Sequence, residues 1–589
     1  MSTIPAAVET TRIAERPSPR SRSGAPWLVL GGYLLGAVVV TWRLWADPAG
    51  RMPAGDAQDI NFFAWCLRYS ATAIAHGHLP ALVTTALNAP RGVNLMWNTS
   101  FLLPGSLLTP VTLLAGPQVS LTIVLTLAIA GSAASLFWVL RRWGASVSAA
   151  ALGGAVYGFS PAVLNSGLGH YNLVFAALPP LIIDAVLRLL TGRGRAVRSG
   201  IWLGLLTAAQ LFISEELLAD TALATLVLVI VLAASHPRAD LHRARGAAAG
   251  LATAAAVTLL ISWYPLWVQF RGPLHEHNVL LRPWSGNLAF FVDPSSNLLF
   301  HTSASGAVSA HYSLRLSEVL AYLGWPLIVI LVAATVRFWR DLRVRAAAVT
   351  CAVLELCNLG GGALPIRGFR LPGAFLPYHW LQSLPVTAQL IPDRFCILGA
   401  GAGAAVLAFS LDLARSATPK TSGWRRSLPV AVAVLAVLPL IPLPYRTAPV
   451  SRVPFGWQAV LTGLRLAPDA RVLVVPVPLI SDTAPMRWQA DTGQPGSLIG
   501  GYFLGPSKSG QAVFTIGPTQ PAAEYLNQLS VRRARPDASG MALVRSALAY
   551  WRPAAVVAVT YESSWLGQFL VGLLGRPTLA AGRVLAWRR

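Results

Sequence analysis

The sequence is poor in charge. Only 12% of its 589 residues are Asp, Glu, Lys or Arg, where a soluble globular chain carries about 25%. That shortage, a mean hydropathy of +0.56 and many apolar runs exclude an ordinary soluble domain and read as a polytopic membrane protein. Lysine is nearly missing, with Lys420 and Lys508 its two occurrences, so the formal net charge of +23 is carried by arginine. The arginines sit in short clusters between apolar runs rather than on one face or stripe. This excludes a nucleic-acid partner and matches the basic bias of cytoplasmic loops. Cysteine is sparse as well. Cys66, Cys351, Cys357 and Cys396 show no CxxC-type spacing, so they read as small apolar fillers rather than metal ligands. The phosphate loop GxxxxGK[ST] and the zinc pattern HExxH are both absent, which disfavours a nucleotide-sugar donor and a zincin site. The first apolar run, from Trp27, lies behind Arg12, Arg16, Arg20 and Arg22 and lacks an A-x-A site. It reads as a signal anchor rather than a cleaved peptide.

What is present is a series of apolar segments long enough to cross a bilayer. The predicted spans are 27–45, 119–140, 146–165, 172–190, 199–214, 217–235, 247–269, 317–336, 346–360, 395–414 and 427–443, about eleven in all. Placing every inter-span basic cluster on one side puts the N-terminal tail, 1–26, in the cytoplasm. Long loops 46–118, 271–315 and 361–391 then lie outside, within a transmembrane domain of 27–444. The stretch "LLPGSLLTPVTLLAG" (102–116) is broken by Pro104 and Pro110 and reads as interfacial. Residues 445–589 read as an extracytoplasmic α/β domain. "RVLVVPVP" (471–478), "AAVVAVTY" (554–561) and "GRVLAWRR" (582–589) have strand character, and 520–529 and 541–551 have helical spacing.

With that topology, the acids gather at the outer ends of spans. Asp56 and Asp59 follow the first span in "GDAQDINFFAW", and Glu215 and Glu216 occupy a short outer turn with Asp220 one helical turn on. A helix cap at Asp56 and a helix-dipole role at Asp59 stand beside the functional reading. Glu355 lies inside a span, where an unpaired charge is costly, and an arginine from another helix is one expected partner. Asp184 has Arg188 four residues on as an expected partner. Arg394, at the mouth of a span, and Arg282, Arg367 and Arg370 in the loops offer planar forks suited to phosphate. His170, in "GLGHYNLVF", is a candidate donor at the same site. Phe62, Phe63, Trp65 and Trp97 fit an interfacial belt or a stacking surface for sugar or lipid.

This layout resembles the GT-C superfamily of membrane glycosyltransferases. The shared features are many spans, an acidic motif in a long first outer loop with interfacial helices, and a C-terminal extracytoplasmic domain. "PRGVNLMWNTS" (90–100), "PDRF" (392–395) and "MRWQADTGQPGSLIGGYF" (486–503) are similar to a group of actinobacterial membrane proteins within or near that superfamily. The resemblance implies a polyprenyl-phosphate sugar donor and an envelope glycan, lipid or protein acceptor, with inverting transfer on the outer face of the bacterial plasma membrane. It implies Asp56 or Asp59 as general base and Arg394 on the donor phosphate, where Arg282 and His170 are further candidates by their place in the outer loops. Glu215 and Glu216 form a separate acidic candidate. A divalent metal is compatible with this chemistry. The first-loop acids are three apart rather than a tight doublet, so either can be the base, and Asp56, nearer the end of the first span, is the favoured one. A lipid or glycan flippase working through Glu355 and a non-catalytic scaffold are the competing readings.

Overall fold

In the computed structural model the described residues are 25–235, 241–277, 285–312, 315–366, 369–384, 387–418, 423–493 and 496–589. Arg282 and Arg367 lie outside them. Among the described residues, six helical segments are long and apolar enough to cross a membrane: Pro26–Trp45, Pro117–Arg142, Val147–Ser166, Glu215–Ser235, Ala244–Arg271 and Pro392–Ala417. Shorter helices, Leu178–Leu190, Ala196–Leu211, Trp325–Arg337, Leu342–Asn358 and Leu428–Val437, lie at the other predicted positions, so six of the eleven predicted spans meet that length and apolarity among the described residues.

Proline and glycine set the breaks. The predicted 172–190 run splits into Tyr171–Val174 and Leu178–Leu190 because Pro179 and Pro180 open a new helix. The 146–165 run breaks at Ser160, which caps Pro161–Ser166 by accepting from the Val163 N–H at 3.3 Å. The expected span at 317–336 begins later, at Trp325, behind Gly324 with φ +76°. Residues 102–116 form two short helices, Leu102–Leu107 and Thr109–Ala115, each too short to cross a bilayer.

One end of the bundle collects the basic clusters. Arg142 pairs with Asp184 at 2.8 Å, and the Trp143 indole N–H donates to the same carboxylate at 3.0 Å. Asp184 therefore pairs across helices rather than with Arg188, because its side chain faces the end of Pro117–Arg142. Arg345 donates to Ser235 at 2.8 Å, and Asp412 accepts from the Ser146 hydroxyl at 2.6 Å.

The other end carries the loops and the C-terminal α/β unit. Its five-stranded sheet runs Leu579–Ala581, Val584–Arg588, Ala555–Val559, Arg471–Val475, Ser497–Leu498. Ala555–Val559 is parallel to Arg471–Val475 and antiparallel to Val584–Arg588. Helices Gln520–Ser530, Ala538–Trp551 and Trp565–Leu574 pack around it. This unit does not bury its apolar surface alone. Phe62, Trp65 and Cys66 of helix Ala57–Ala75, with Leu87, Val93 and Leu95, share one core with Val474, Trp551, Val556 and Trp587. Strand Arg51–Pro53 pairs antiparallel with Thr447–Pro449, tying the first loop to the chain that leaves the last apolar helix. Phe62, Phe63 and Trp65 are thus core side chains rather than a belt or an open stacking platform. The Trp97 indole N–H donates to the Gln269 carbonyl at 2.7 Å.

Candidate active site

The site is built on the start of helix Ala57–Ala75. Asp56 occupies its N-cap position, yet its carboxylate caps nothing. It instead accepts a short hydrogen bond from the Ser317 hydroxyl, and Arg315 Nε stands 3.5 Å from its other oxygen. Asp59, one turn on, accepts from the Tyr502 hydroxyl at 2.8 Å through Oδ1. Its Oδ2 is buried and has no hydrogen-bond partner among the described residues. Burial raises the Asp59 carboxyl above the ordinary carboxylate range, with His170 and the Tyr502 hydrogen bond pulling the other way.

The loop before His170 lies directly on Asp56, whose backbone N–H donates to the Leu168 carbonyl at 2.8 Å. A Cβ on Gly169 would stand 2.8 Å from the Asp56 Cβ, so glycine is what permits this approach. One donor atom from each of Asp56, Asp59 and His170 lies within 4.8 Å of the other two.

From His170 the polar network continues inward. His170 Nε2 is 3.5 Å from Glu318, and Glu318 is 3.9 Å from a terminal nitrogen of Arg394. The other terminal nitrogen of Arg394 makes a short ion pair with Glu216, which also accepts from the Ile391 N–H at 3.1 Å. Burial would raise the Glu318 carboxyl, but His170 and Arg394 outweigh it and hold the group below its usual value. Asp393 is buried in the same cluster. Arg394 thus spends both terminal nitrogens on carboxylates, leaving a guanidinium already neutralised where a phosphate grip was expected. Arg315, whose side chain is 36% exposed, is the cation beside the aspartate pair that reaches solvent.

The two turn acids part company. Glu216 joins the Arg394 network, whereas Glu215 turns to helix Leu241–Arg271 and accepts from Gln269 at 2.5 Å. Asp220 is fully buried, with neither carboxylate oxygen partnered among the described residues. Both oxygens of Glu355 are likewise buried without a described partner, so the arginine expected for it is not found there. Arg370 is exposed on the hairpin Leu364–Ile366/Phe369–Leu371.

Sequence reasoning missed Glu318, Arg315, Ser317 and Tyr502. "RLSE" (315–318) lies at the edge of the predicted span 317–336. Its two charges at an apolar boundary were the available signal.

Residues 103–359 match the model of Glycosyltransferase family 87. That stretch contains His170, Glu216, Arg315 and Glu318 but neither first-loop aspartate nor Arg394. No curated protein matches the chain. Among solved structures, the cryo-EM structure of arabinofuranosyltransferase AftD from Mycobacteria is similar over 96% of this chain and 39% of its own, at 15% identity and TM-score 0.50. A point variant of the same protein gives 97% and 42%, 16% identity and TM-score 0.52. The chain spans about two fifths of the length of that mycobacterial protein. The chain therefore has a helical fold similar to that of this arabinofuranosyltransferase, and its central stretch, less than half of its length, matches the family 87 model.

Proposed function

We propose that the chain is a membrane glycosyltransferase that moves a sugar from a polyprenyl-phosphate donor to a glycan, lipid or protein acceptor of the cell envelope. The site and the C-terminal unit face the outside of a bacterial plasma membrane, and the basic end of the bundle faces the cytoplasm. The charge asymmetry between the two ends supports that orientation.

The observation that carries the reading is the aspartate pair. Asp56 is committed to Ser317 and Arg315, while Asp59 beside it keeps an Oδ2 with no partner among the described residues. Asp59 is the general base in this reading. As the acceptor hydroxyl oxygen attacks the anomeric carbon, its proton passes to Asp59 Oδ2. The bond from that carbon to the phosphate oxygen breaks, and its electron pair leaves with the polyprenyl phosphate. A single displacement of this kind inverts the anomeric centre. Arg315 faces the charge that grows on the leaving phosphate. Asp56 and Ser317 hold Arg315 and the helix start in place. A divalent cation fits the donor set of Asp56, Asp59 and His170, whose Nδ1 is buried and unpartnered among the described residues. When bound it would neutralise phosphate charge.

The test is transfer of radiolabel from polyprenyl-phosphate pentoses and hexoses to native membranes. Asp59→Asn is expected to lower kcat by about 10²–10⁴-fold, the usual worth of a positioned base. Asp59→Asn and Asp56→Asn both transferring at wild-type rate would refute the mechanism. Liposomes that move the lipid-linked sugar across the bilayer without bond formation, and lose that movement in Glu355→Gln, would establish the flippase reading instead.

A further inference from the structure

The C-terminal unit reaches into the site through one side chain. Tyr502 follows Gly500 and Gly501, whose φ values are +86° and +157°. A Cβ on Gly500 would stand 2.7 Å from the Pro478 carbonyl oxygen, and one on Gly501 2.7 Å from Leu87. The glycine pair therefore permits a turn pressed between the sheet of the C-terminal unit and the first loop. Past the turn, Tyr502 is held on several sides. Its ring stacks on Phe514 at 5.0 Å with an 8° interplanar angle and meets Phe62 edge-on at 6.3 Å. Its N–H donates to the Met486 sulfur at 3.3 Å. The hydroxyl then ends on Asp59 Oδ1 at 2.8 Å.

The same helix that carries Asp59 is clamped by the C-terminal unit along its length. Asn61 donates to Thr483 at 2.9 Å, Trp65 to Gln489 at 2.8 Å and Arg68 to the Ala490 carbonyl at 2.7 Å. The first loop holds the tyrosine turn in return, with the Asn88 N–H donating to the Gly500 carbonyl at 2.9 Å.

We propose that Tyr502 is a positioning residue that orients the Asp59 carboxylate, so that the site on the first loop is complete only when the C-terminal unit is docked. This rests on Asp59 as base. An aspartate carboxylate rotates readily about its terminal torsion. One buried donor on Oδ1 fixes that rotation and leaves Oδ2 for the proton of the acceptor. The phenol O–H is the donor and the carboxylate oxygen the acceptor in this contact. Asp56, His170 and Arg315 also face Asp59, but Tyr502 is the group that hydrogen-bonds to it.

The experiment uses the full-length protein in detergent with a polyprenyl-phosphate pentose and a polyprenyl-phosphate hexose as donor probes. Tyr502→Phe keeps the stacked ring and removes only the hydroxyl. The expected result is a kcat loss of about ten- to a hundredfold, the worth of one hydrogen bond to a charged group, with donor KM changed less than about threefold. In an Asp59→Asn background the same substitution should add no further loss, because the two groups act as a unit. Wild-type kcat in Tyr502→Phe, with Asp59→Asn inactive, overturns the positioning role and leaves the proposed function standing. Full activity in Asp59→Asn overturns the base assignment instead. If Tyr502→Phe also melts early, the double variant decides: a kcat loss that recurs in the Asp59→Asn background marks a merely structural role and overturns the proposal.

Discussion

Arg394 offers a direct measurement of what the inner polar network does. Its side chain is 10% exposed and that of Glu216 17%, so the pair is largely removed from water. Arg394→Met leaves Glu216 with the Ile391 N–H and no counter-charge. Glu318 keeps His170 at 3.5 Å, so the damage concentrates on Glu216. Breaking a buried pair by removing one partner costs about 3–5 kcal/mol, because an uncompensated charge stays buried. Removing Glu216 as well, in Arg394→Met with Glu216→Gln, deletes that stranded charge. This double variant should therefore be more stable than Arg394→Met alone, with a coupling of about 2–3 kcal/mol. Arg394→Lys should fall between wild type and Arg394→Met, since one ammonium cannot span both carboxylates as a guanidinium does. The assay is thermal unfolding of the detergent-purified protein read by size exclusion. The expected order is wild type, then Arg394→Lys, then Arg394→Met, with the double variant above Arg394→Met. A wild-type melting midpoint for Arg394→Met, together with a raised donor KM, would show that the guanidinium serves the donor phosphate, and the stability argument would fall.

Two further outcomes follow from buried or strained positions. Glu276 is 4% exposed, and burial pushes its carboxyl up to about 7 against the pull of Arg91. A group raised in the folded state contributes stability that is complete below its unfolded value and is lost as pH rises through the folded one. Between pH 5 and 8 the wild-type midpoint should therefore fall more than that of Glu276→Gln, and parallel curves would refute the burial argument. Gly500→Ala puts a Cβ at φ +86° and 2.7 Å from a carbonyl oxygen. It should cost about 1–3 kcal/mol, and an unchanged midpoint would mean that the turn relaxes freely.

The apolar helices and the C-terminal strands were legible because their signals are local. A bilayer demands length and apolarity within one segment, and "RVLVVPVP", "AAVVAVTY" and "GRVLAWRR" contain Arg471–Val475, Ala555–Val559 and Val584–Arg588. The broken character of 102–116 was legible for the same reason, since Pro104 and Pro110 act within a few residues. Partners were not legible. Asp184 chose Arg142 over Arg188 because helices Pro117–Arg142 and Leu178–Leu190 meet there. The aromatics behind Asp59 looked interfacial because the core that buries them is contributed by residues some four hundred positions later. Glu318 was hidden because it borders an apolar run whose helix starts only at Trp325. The 3.9 Å approach to Arg394 exists only once three separate loops converge.

The Asp59–Tyr502 contact joins residues 443 positions apart. On the ribosome, at about 5–20 residues per second, roughly 20–90 s separate the synthesis of the aspartate from that of the tyrosine. Throughout that interval the helix face of Phe62, Trp65 and Cys66 lacks the C-terminal core that buries it, and Asp59 lacks its tyrosine partner. A growing chain therefore carries Asp56 and Asp59 long before Tyr502 exists to meet them. The contact waits for residue 502, so a chain truncated before it keeps its apolar helices but lacks the hydroxyl that meets Asp59.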